Sequence, residues 1–243
     1  MYKIPATTLF FGKKLIFMPE CHSTNDEMLL LCQKGLPTEG SVIVTAQQTA
    51  GRGQRGNAWS AEPGKNLTFT LLINPSFLPI QKQFYLNIFV SLGIRDYLTE
   101  NEQLKVQIKW PNDIVFQSRK ICGILIENQI AGTTISASIV GIGLNINQQD
   151  FNIAQATSLL LECGRETDLN AALDSLLGAI EARYLQLRAG KWEQLRRDYL
   201  SHLFLIGQSS TFLDSEGEFT GMIEGIDDTG RLLVLKDGTP RAY

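Results

Sequence analysis

The sequence predicts an α+β protein with a mixed β-sheet flanked by helices and a small, separate β-module at its C-terminus. Strand-length apolar runs are interspersed with helical patterns, without the regular strand–helix alternation of a doubly wound sheet. From residue 207 onward, short strands alternate with Gly-Asp turns. A length of 243 residues suits one large domain plus a small module. We therefore predict domains at 1–205 and 206–243.

Each element is predicted from its local pattern, in chain order. Residues 23–35 indicate a short helix, because Thr24 and Glu27 have capping-box spacing and Gly35 suits its C-terminal end. A polar, Gly-rich loop is expected at 47–66, since it separates two apolar runs. Strands are predicted at 41–46, 67–73, 105–110, 113–117, 120–128 and 133–147. Further helices are predicted at 81–101 and 169–203.

Composition excludes several classes of protein. A net charge of −3 and a pI near 5.5 give no overall basic field, which argues against a primary nucleic-acid binder. The N-terminus lacks the pattern of a signal peptide, and the apolar runs are too short to span a membrane. Four scattered cysteines and two histidines do not suit a zinc cluster. We expect a reduced, cytoplasmic protein.

The stretch "GRGQRGNAW" (51–59) matches G-x-G-x-x-G, the pattern of a dinucleotide-binding turn. Such a turn opens a helix, but here Pro63-Gly64 and another strand follow, so we reject this interpretation. The loop still offers Arg52 and Arg55, whose guanidinium groups suit carboxylate or phosphate, and Trp59, which suits a base. The alternative is a surface loop with a half-buried tryptophan.

Two further stretches point to the same kind of ligand. In "IKWPNDIVF", Lys109 ends a strand and Asn112-Asp113 expose polar side chains, although Pro-Asn-Asp also suits a simple tight turn. In "SRKICGILIEN", Lys120 precedes an apolar strand that Gly123 interrupts. A glycine inside a strand often marks the approach of a ligand to the backbone, whereas a lone lysine there is usually a solvated edge residue.

A last stretch, "GIGLNIN", places Gly141 and Gly143 in an apolar strand before Asn145, with a β-bulge as the alternative explanation. Together the four stretches supply cations, amides and exposed backbone, but no activated serine, cysteine or histidine and no paired glutamates. This set suits chemistry that depends on positioning and charge neutralisation, with phosphoryl or nucleotidyl transfer as the leading type.

With "GRGQRGNAW", "KWPND", "KICGILIE" and "GIGLNIN" in this order, the chain resembles biotin–protein ligases, also called biotin–[acetyl-CoA-carboxylase] ligases, from about Ser23 to its C-terminus. The resemblance implies a class II synthetase-like catalytic domain followed by an SH3-like β-barrel. It also implies that biotin and ATP, with Mg²⁺, form biotinyl-5′-AMP and pyrophosphate. The biotinyl group then passes to one lysine of a biotin carboxyl carrier domain. No nucleic-acid or membrane partner is implied, and the protein is expected to be a monomer or homodimer.

The resemblance also implies roles for individual residues. Lys120 and Arg52 are the implied catalytic residues. The implied biotin site comprises Ser23, Thr24, Asn25, Gln48, Gly51, Arg52, Gly53, Gln54, Lys120 and Gly123. The implied nucleotide site comprises Arg55, Trp59, Lys109, Asn112 and Asn145. Asp113 is a candidate metal ligand or only a turn residue, and the sequence does not separate these.

The chain departs from the family pattern in three places. Gln54 stands where many members have a second arginine, which bears on how tightly the loop retains the adenylate. No helix-turn-helix segment precedes the catalytic region, so we expect the monofunctional class without a repressor role. The sequence ends at Tyr243, where the family usually has one more strand. The alternatives are a lipoate– or octanoate–protein ligase of the same fold, and a non-catalytic biotin- or nucleotide-binding module.

Overall fold

The computed structural model describes residues 2–243, and its larger sheet contains seven strands. These are β1 (Leu15–Cys21), β2 (Val42–Gln48), β3 (Leu67–Ile73), β4 (Gln107–Lys109), β5 (Asp113–Phe116), β6 (Arg119–Ala131) and β7 (Thr134–Leu144). Their spatial order is β1-β2-β3-β7-β6-β5-β4. β1 and β2 pair in parallel, and the other neighbouring pairs are antiparallel. The predicted mixed sheet is confirmed.

Five helices cover the two faces of this sheet. They are α1 (Thr24–Gln33), α2 (Tyr85–Asp96), α3 (Leu159–Cys163), α4 (Leu169–Arg188) and α5 (Trp192–Ser201). α2, α4 and α5 pack together over one face and enclose the main core, while α1 packs on β2, β3 and β7 over the other face. A small second core lies beneath α1 and includes Met28, Ile43 and Ile139. None of the helices in residues 2–243 is both long enough and apolar enough to cross a membrane.

The C-terminal module is a four-stranded antiparallel sheet. Its strands are β8 (Ser209–Asp214), β9 (Gly217–Ile226), β10 (Leu232–Lys236) and β11 (Thr239–Ala242), in the order β11-β10-β9-β8. The Lys236 ammonium lies 2.9 Å from Asp214 and 2.8 Å from Glu216, which joins β10 to the β8–β9 hairpin. No pairing of β8 with β11 closes this sheet into a barrel in the described part of the chain. The domain division at 205/206 stays a prediction.

Three local expectations differ from the structure. The capping-box prediction for α1 is wrong, because Ser23 is the N-cap and the Thr24 hydroxyl and amide donate to Gln48 Oε1. The helix predicted at 169–203 is two helices, since Gly190 takes a left-handed φ of 74° between them. The helix predicted at 81–101 is α2 followed by a π-helical turn at Tyr97–Asn101. The sequence pattern also missed β1 and the short α3.

Gly230 should be the glycine of the C-terminal module least tolerant of substitution. Its φ is 92°, and a Cβ there would lie 2.1 Å from Phe84 Cγ. Left-handed strain and overpacking together predict that Gly230→Ala lowers the free energy of unfolding by about 2–5 kcal/mol. Gly238→Ala is the matched control, because its φ is 75° but no atom lies within 4 Å of the added Cβ. Urea unfolding that gives equal losses for both variants would contradict this packing account.

Candidate active site

A cavity of about 270 Å³ opens between the start of α1, the glycine loop and the adjacent strands β6 and β7. It brings together most of the residues that the sequence predicted for the site. Those lining it are Ser23, Thr24, Asn25, Gln48, Arg52, Gly53, Gln54, Arg55, Trp59, Asn112, Asp113, Lys120 and Gly123. Residues more than 90 positions apart in the chain therefore meet in one place, as a single ligand site requires.

Glycines form the floor of the cavity. Gly123 on β6 pairs with Gly143 on β7, and Gly141 lies two residues earlier on the same face of β7. A Cβ at Gly143 would lie 2.2 Å from Trp59 Cε2, and one at Gly141 would lie 2.4 Å from Asn25 Oδ1. These glycines therefore let Trp59 and Asn25 rest directly on the sheet. The alternative of a β-bulge at 141–143 is wrong, because this part of β7 stays in register with β6.

One end of the cavity is a buried network of amides and hydroxyls. Ser23, Thr24 and Asn25 are 2–3% exposed. Thr70 Oγ1 lies 2.8 Å from Thr24 Oγ1 and donates to Asn25 Oδ1 at 2.6 Å. Asn25 Nδ2 donates to Glu127 Oε2 at 2.7 Å, which fixes the orientation of the amide. Sequence reasoning missed Thr70 and Glu127, whose only signal was a polar residue inside an apolar strand.

The glycine loop folds into a short hairpin over the cavity. Trp59 N donates to Gly51 O at 2.9 Å, and Gly53 N donates to Asn57 O at 2.6 Å. A Cβ at Gly51 would lie 2.3 Å from Trp59 O, so Gly51 permits the hairpin to close but does not line the cavity. Arg55 adopts a φ of 56° at the tip. The loop is therefore a defined structure and not an extended surface segment.

Arg52 links this hairpin to the body of the protein. Its guanidinium lies 2.7 Å from Asp26 Oδ1 on α1 and 2.8 Å from Glu127 Oε2 on β6. Hydrogen bonding to Glu127 is the main cause that raises the pKa of Arg52 above its ordinary value. The guanidinium is therefore a permanent cation at the mouth of the cavity, and its two ion pairs hold the loop down.

The other end of the cavity is cationic and aromatic. Lys120 Nζ lies 2.7 Å from Asp113 Oδ1 and 5.6 Å from the centroid of the Trp59 ring. Trp59 Nε1 is buried without a hydrogen-bond partner among residues 2–243. An ammonium, a carboxylate and a flat aromatic wall thus surround one space. This arrangement suits a ligand that carries a phosphate next to a planar base.

Two predicted nucleotide residues do not line the cavity. Lys109 is exposed at the end of β4. Asn145 is buried, and its Nδ2 donates to Thr157 O at 2.9 Å. Asn112 does line it, while its Nδ2 also donates to Ile124 O at 2.7 Å, so the tight turn and the site coexist. The roles implied for these residues stay predictions.

Cysteine chemistry has no part in this site. Cys122 neighbours the cavity strand but is fully buried. Burial raises the pKa of its thiol far above the usual range, outweighing the opposite effect of Lys120. The thiol is therefore protonated at neutral pH and unsuited to act as a nucleophile.

The fold and the cavity define a small-molecule binding site, in which a mixed sheet presents glycines, a cationic hairpin and a lysine to one ligand. Comparison with known proteins makes this specific. The sequence model of the biotin/lipoate A/B protein ligase family matches residues 18–145, and that of the biotin protein ligase C-terminal domain matches residues 205–243. The chain belongs to the biotin/lipoate A/B protein ligase family.

Individual relatives agree with this assignment. The bifunctional ligase/repressor BirA of Bacillus subtilis is 30% identical over 97% of this chain and 74% of its own length. The biotin–[acetyl-CoA-carboxylase] ligase of Paracoccus denitrificans is 32% identical over 87% of this chain and 90% of its own. The biotin protein ligase of Aquifex aeolicus, solved with biotin and ATP, superimposes with a TM-score of 0.81 at 26% identity and covers 95% of both chains.

Proposed function

We propose that this protein is an ATP-dependent biotin–protein ligase, which activates biotin as biotinyl-5′-AMP and transfers it to a lysine of a biotin carboxyl carrier domain. The observation that carries the proposal is a single cavity with a buried amide end and a cationic, tryptophan-walled end. The lining of this cavity suits a neutral polar ring at one end and a phosphate next to a planar base at the other. The Aquifex aeolicus relative binds this pair of ligands, biotin and ATP.

The buried end suits the ureido ring of biotin. This ring offers one carbonyl acceptor and two N–H donors, and Ser23, Thr24 and Asn25 offer hydroxyl and amide groups of both kinds. Because Thr70 and Glu127 already fix the orientation of Asn25, the site is organised before the ligand arrives. Preorganisation of this kind favours affinity, since little side-chain entropy remains to be lost on binding.

Lys120 serves the first chemical step. The carboxylate of biotin attacks the α-phosphorus of ATP, a P–O bond forms, and the bond to the departing pyrophosphate breaks. Both reactants are anionic, so the Lys120 ammonium lowers their repulsion and stabilises the charge on the α-phosphate. Asp113 lies 2.7 Å from the Lys120 ammonium and holds it beside the space that the reacting groups would occupy.

A magnesium ion fits this site only as one that the nucleotide brings with it. No group of three or more His, Cys, Asp or Glu side chains gathers in the described residues to hold a metal. Mg²⁺ usually takes one or two carboxylates and completes its shell with phosphate oxygens and water. Asp113 is the carboxylate that lines the cavity. When bound, the ion would neutralise charge on the pyrophosphate leaving group.

The hairpin of Arg52 serves the second step. Biotinyl-5′-AMP is a mixed anhydride that water destroys, so the loop must cover it until the acceptor amine arrives. The acceptor nitrogen then attacks the acyl carbon, the amide bond forms, and AMP leaves. We propose that residues 1–205 carry this chemistry, with a carboxylase carrier domain as the protein substrate.

Transfer to a purified carrier domain tests the function. Incubation with labelled biotin and ATP should attach one biotin to the carrier and release AMP. A carrier whose acceptor lysine is replaced by arginine should remain unlabelled. Transfer of lipoate or octanoate in place of biotin would instead support the alternative activity within the family.

Arg52→Ala should release the adenylate prematurely, because the variant loses both ion pairs that hold the hairpin down. We expect labelling of lysines on a bystander protein such as serum albumin to rise by about tenfold, the effect of weakening retention by roughly 1.4 kcal/mol. Arg165→Ala is the control, since Arg165 is also a half-exposed, ion-paired arginine but lies outside the cavity. Bystander labelling equal to that of the unmodified protein would refute the retention role.

A further inference from the structure

We infer that Glu162 is a positioning residue for Lys120, acting through Thr157 and Arg119. The inference rests on the proposed function and adds a residue outside the cavity to its machinery. Glu162 lies on α3, a helix that sequence reasoning did not predict. None of Glu162, Thr157 and Arg119 lines the cavity.

The backbone of Lys120 is held by a segment that replaces β7. The last residue of β7, Leu144, pairs with Cys122, so β7 does not reach as far as Lys120. Residues 155–157 take its place along the edge of β6. Lys120 N donates to Gln155 O at 2.6 Å, and Thr157 N donates to Lys120 O at 2.9 Å. The position of Lys120 therefore depends on where this segment lies.

The opposite side of Lys120 is a strained and irregular hairpin. Gln117 and Ser118 join β5 to β6 with φ values of 47° and 71°. A two-residue turn of this kind favours asparagine and glycine, because other side chains are strained at positive φ. The β5–β6 pairing also shifts register between Ile114 and Val115. The turn before β6 is therefore strained and its pairing with β5 is irregular, so a further restraint at Arg119 helps to fix where β6 starts.

Glu162 supplies that restraint on both sides of Lys120. Its Oε1 lies 2.9 Å from Nη2 of Arg119, and Arg119 directly precedes Lys120 in the chain. The same oxygen accepts a hydrogen bond from Thr157 Oγ1, in the segment that holds the Lys120 backbone. Thr157 is fully buried and the Glu162 side chain is 8% exposed. One sheltered carboxylate thus ties the strained hairpin to the supporting segment.

Loss of the Glu162 contacts should displace the Lys120 ammonium from its place in the cavity. A displacement of about 1 Å in a reacting group can lower a rate about a hundredfold, even when the substitution lies far from the chemistry. Glu162→Ala should therefore lower kcat for biotin-dependent pyrophosphate exchange by about tenfold to a hundredfold. The KM for ATP should change less, because the tryptophan wall and the glycine floor remain in place.

Glu102 provides a matched control. Its side chain is also 8% exposed and lies 2.8 Å from Arg165, and it accepts a hydrogen bond from Tyr97, but it does not line the cavity or touch residues 117–120. Glu102→Ala should leave kcat within about twofold once rates are expressed per folded molecule. If Glu162→Ala folds poorly, Thr157→Val removes the same hydrogen bond with nearly the same volume and should lower kcat severalfold.

A double-mutant cycle separates positioning from a general structural role. If Glu162 acts through Lys120, Glu162→Ala should add almost no further loss of exchange in a Lys120→Ala protein. The inference would be overturned if Glu162→Ala lowers exchange as much in the Lys120→Ala protein as in the unmodified one. It would also be overturned if neither Glu162→Ala nor Thr157→Val alone lowers kcat. The proposed function fails separately, if the unmodified protein shows no exchange with biotin, whereas an unchanged rate in Lys120→Ala would overturn the role of Lys120 and this inference with it.

Discussion

Lys120→Ala should lower biotin-dependent pyrophosphate exchange by about 10²–10³-fold, the loss typical of removing one group that stabilises charge in a transition state. Lys120 lies at the cationic, aromatic end of the cavity, with its Nζ 2.7 Å from Asp113 Oδ1 and 5.6 Å from the centroid of the Trp59 ring. No other lysine lines the cavity in the described part of the chain. Removing its charge therefore takes away the cavity's lysine ammonium and leaves Arg52 and Arg55 as the lining cations that oppose the carboxylate–phosphate repulsion.

The same substitution should leave the fold intact. The Lys120 side chain is 37% exposed, and partly exposed ion pairs contribute about 1 kcal/mol or less to stability. Urea unfolding should therefore give nearly the same free energy for both proteins. Lys105→Ala serves as the control, because Lys105 is exposed and does not line the cavity. An exchange rate in Lys120→Ala equal to that of the control would refute the assigned role.

Gly143→Ala should raise the dissociation constant of a non-hydrolysable ATP analogue by about tenfold or more, since stacking of a base on an aromatic ring is worth about 1–3 kcal/mol. The added Cβ would lie 2.2 Å from Trp59 Cε2 and 2.4 Å from Cζ2, so the indole must leave its place on the sheet. The tryptophan wall would then no longer match the base. Calorimetric titration of the analogue measures this effect directly.

Two further glycine variants test whether the loss of affinity for the ATP analogue is specific to the base-binding end of the cavity. Gly141→Ala should weaken biotin more than the ATP analogue, because its Cβ would lie 2.4 Å from Asn25 Oδ1 at the amide end. Gly93→Ala should destabilise the protein, with its Cβ 2.6 Å from Ile180 Cα, but should leave the affinity of the folded molecules unchanged. Equal affinities for the analogue in Gly143→Ala and Gly93→Ala would contradict the account of the glycine floor.

Much of the site could be predicted because its signals are local. Gly123, Gly141 and Gly143 interrupt apolar strands, and such interruptions are visible in the sequence. Arg52, Trp59 and Lys120 belong to short stretches with unusual combinations of residues. The order of these stretches then gave the resemblance to the family. Neither step required knowledge of distant contacts.

The rest of the site depends on contacts between residues far apart in the chain. Thr70 meets Asn25 across 45 positions, and Arg52 meets Glu127 across 75. A threonine or glutamate in a strand is by itself an ordinary residue, so only the sheet order shows its partner. The resemblance placed Asn145 and Lys109 near the nucleotide, but neither lines the cavity. Their positions also depend on distant contacts that the sequence does not show.

In the fold, too, elements with strong local patterns were predicted, whereas those that depend on tertiary contacts were missed or misassigned. Strands with continuous apolar runs were predicted nearly to the residue, as at Leu67–Ile73. β1 was missed because it is an edge strand with Pro19 and exposed Glu20 near its end, which weakens the alternating pattern. The false capping box at Thr24 arose because the tertiary partner Gln48 takes the hydrogen bonds that a local cap would use.

The central claim is that one cavity joins the carboxylate of biotin to the α-phosphate of ATP. Exchange of labelled pyrophosphate into ATP, measured with biotin and without any carrier protein, tests it most directly. The account predicts exchange that depends on biotin and is strongly reduced in Lys120→Ala. Exchange that occurs with lipoate or octanoate but not with biotin would contradict it.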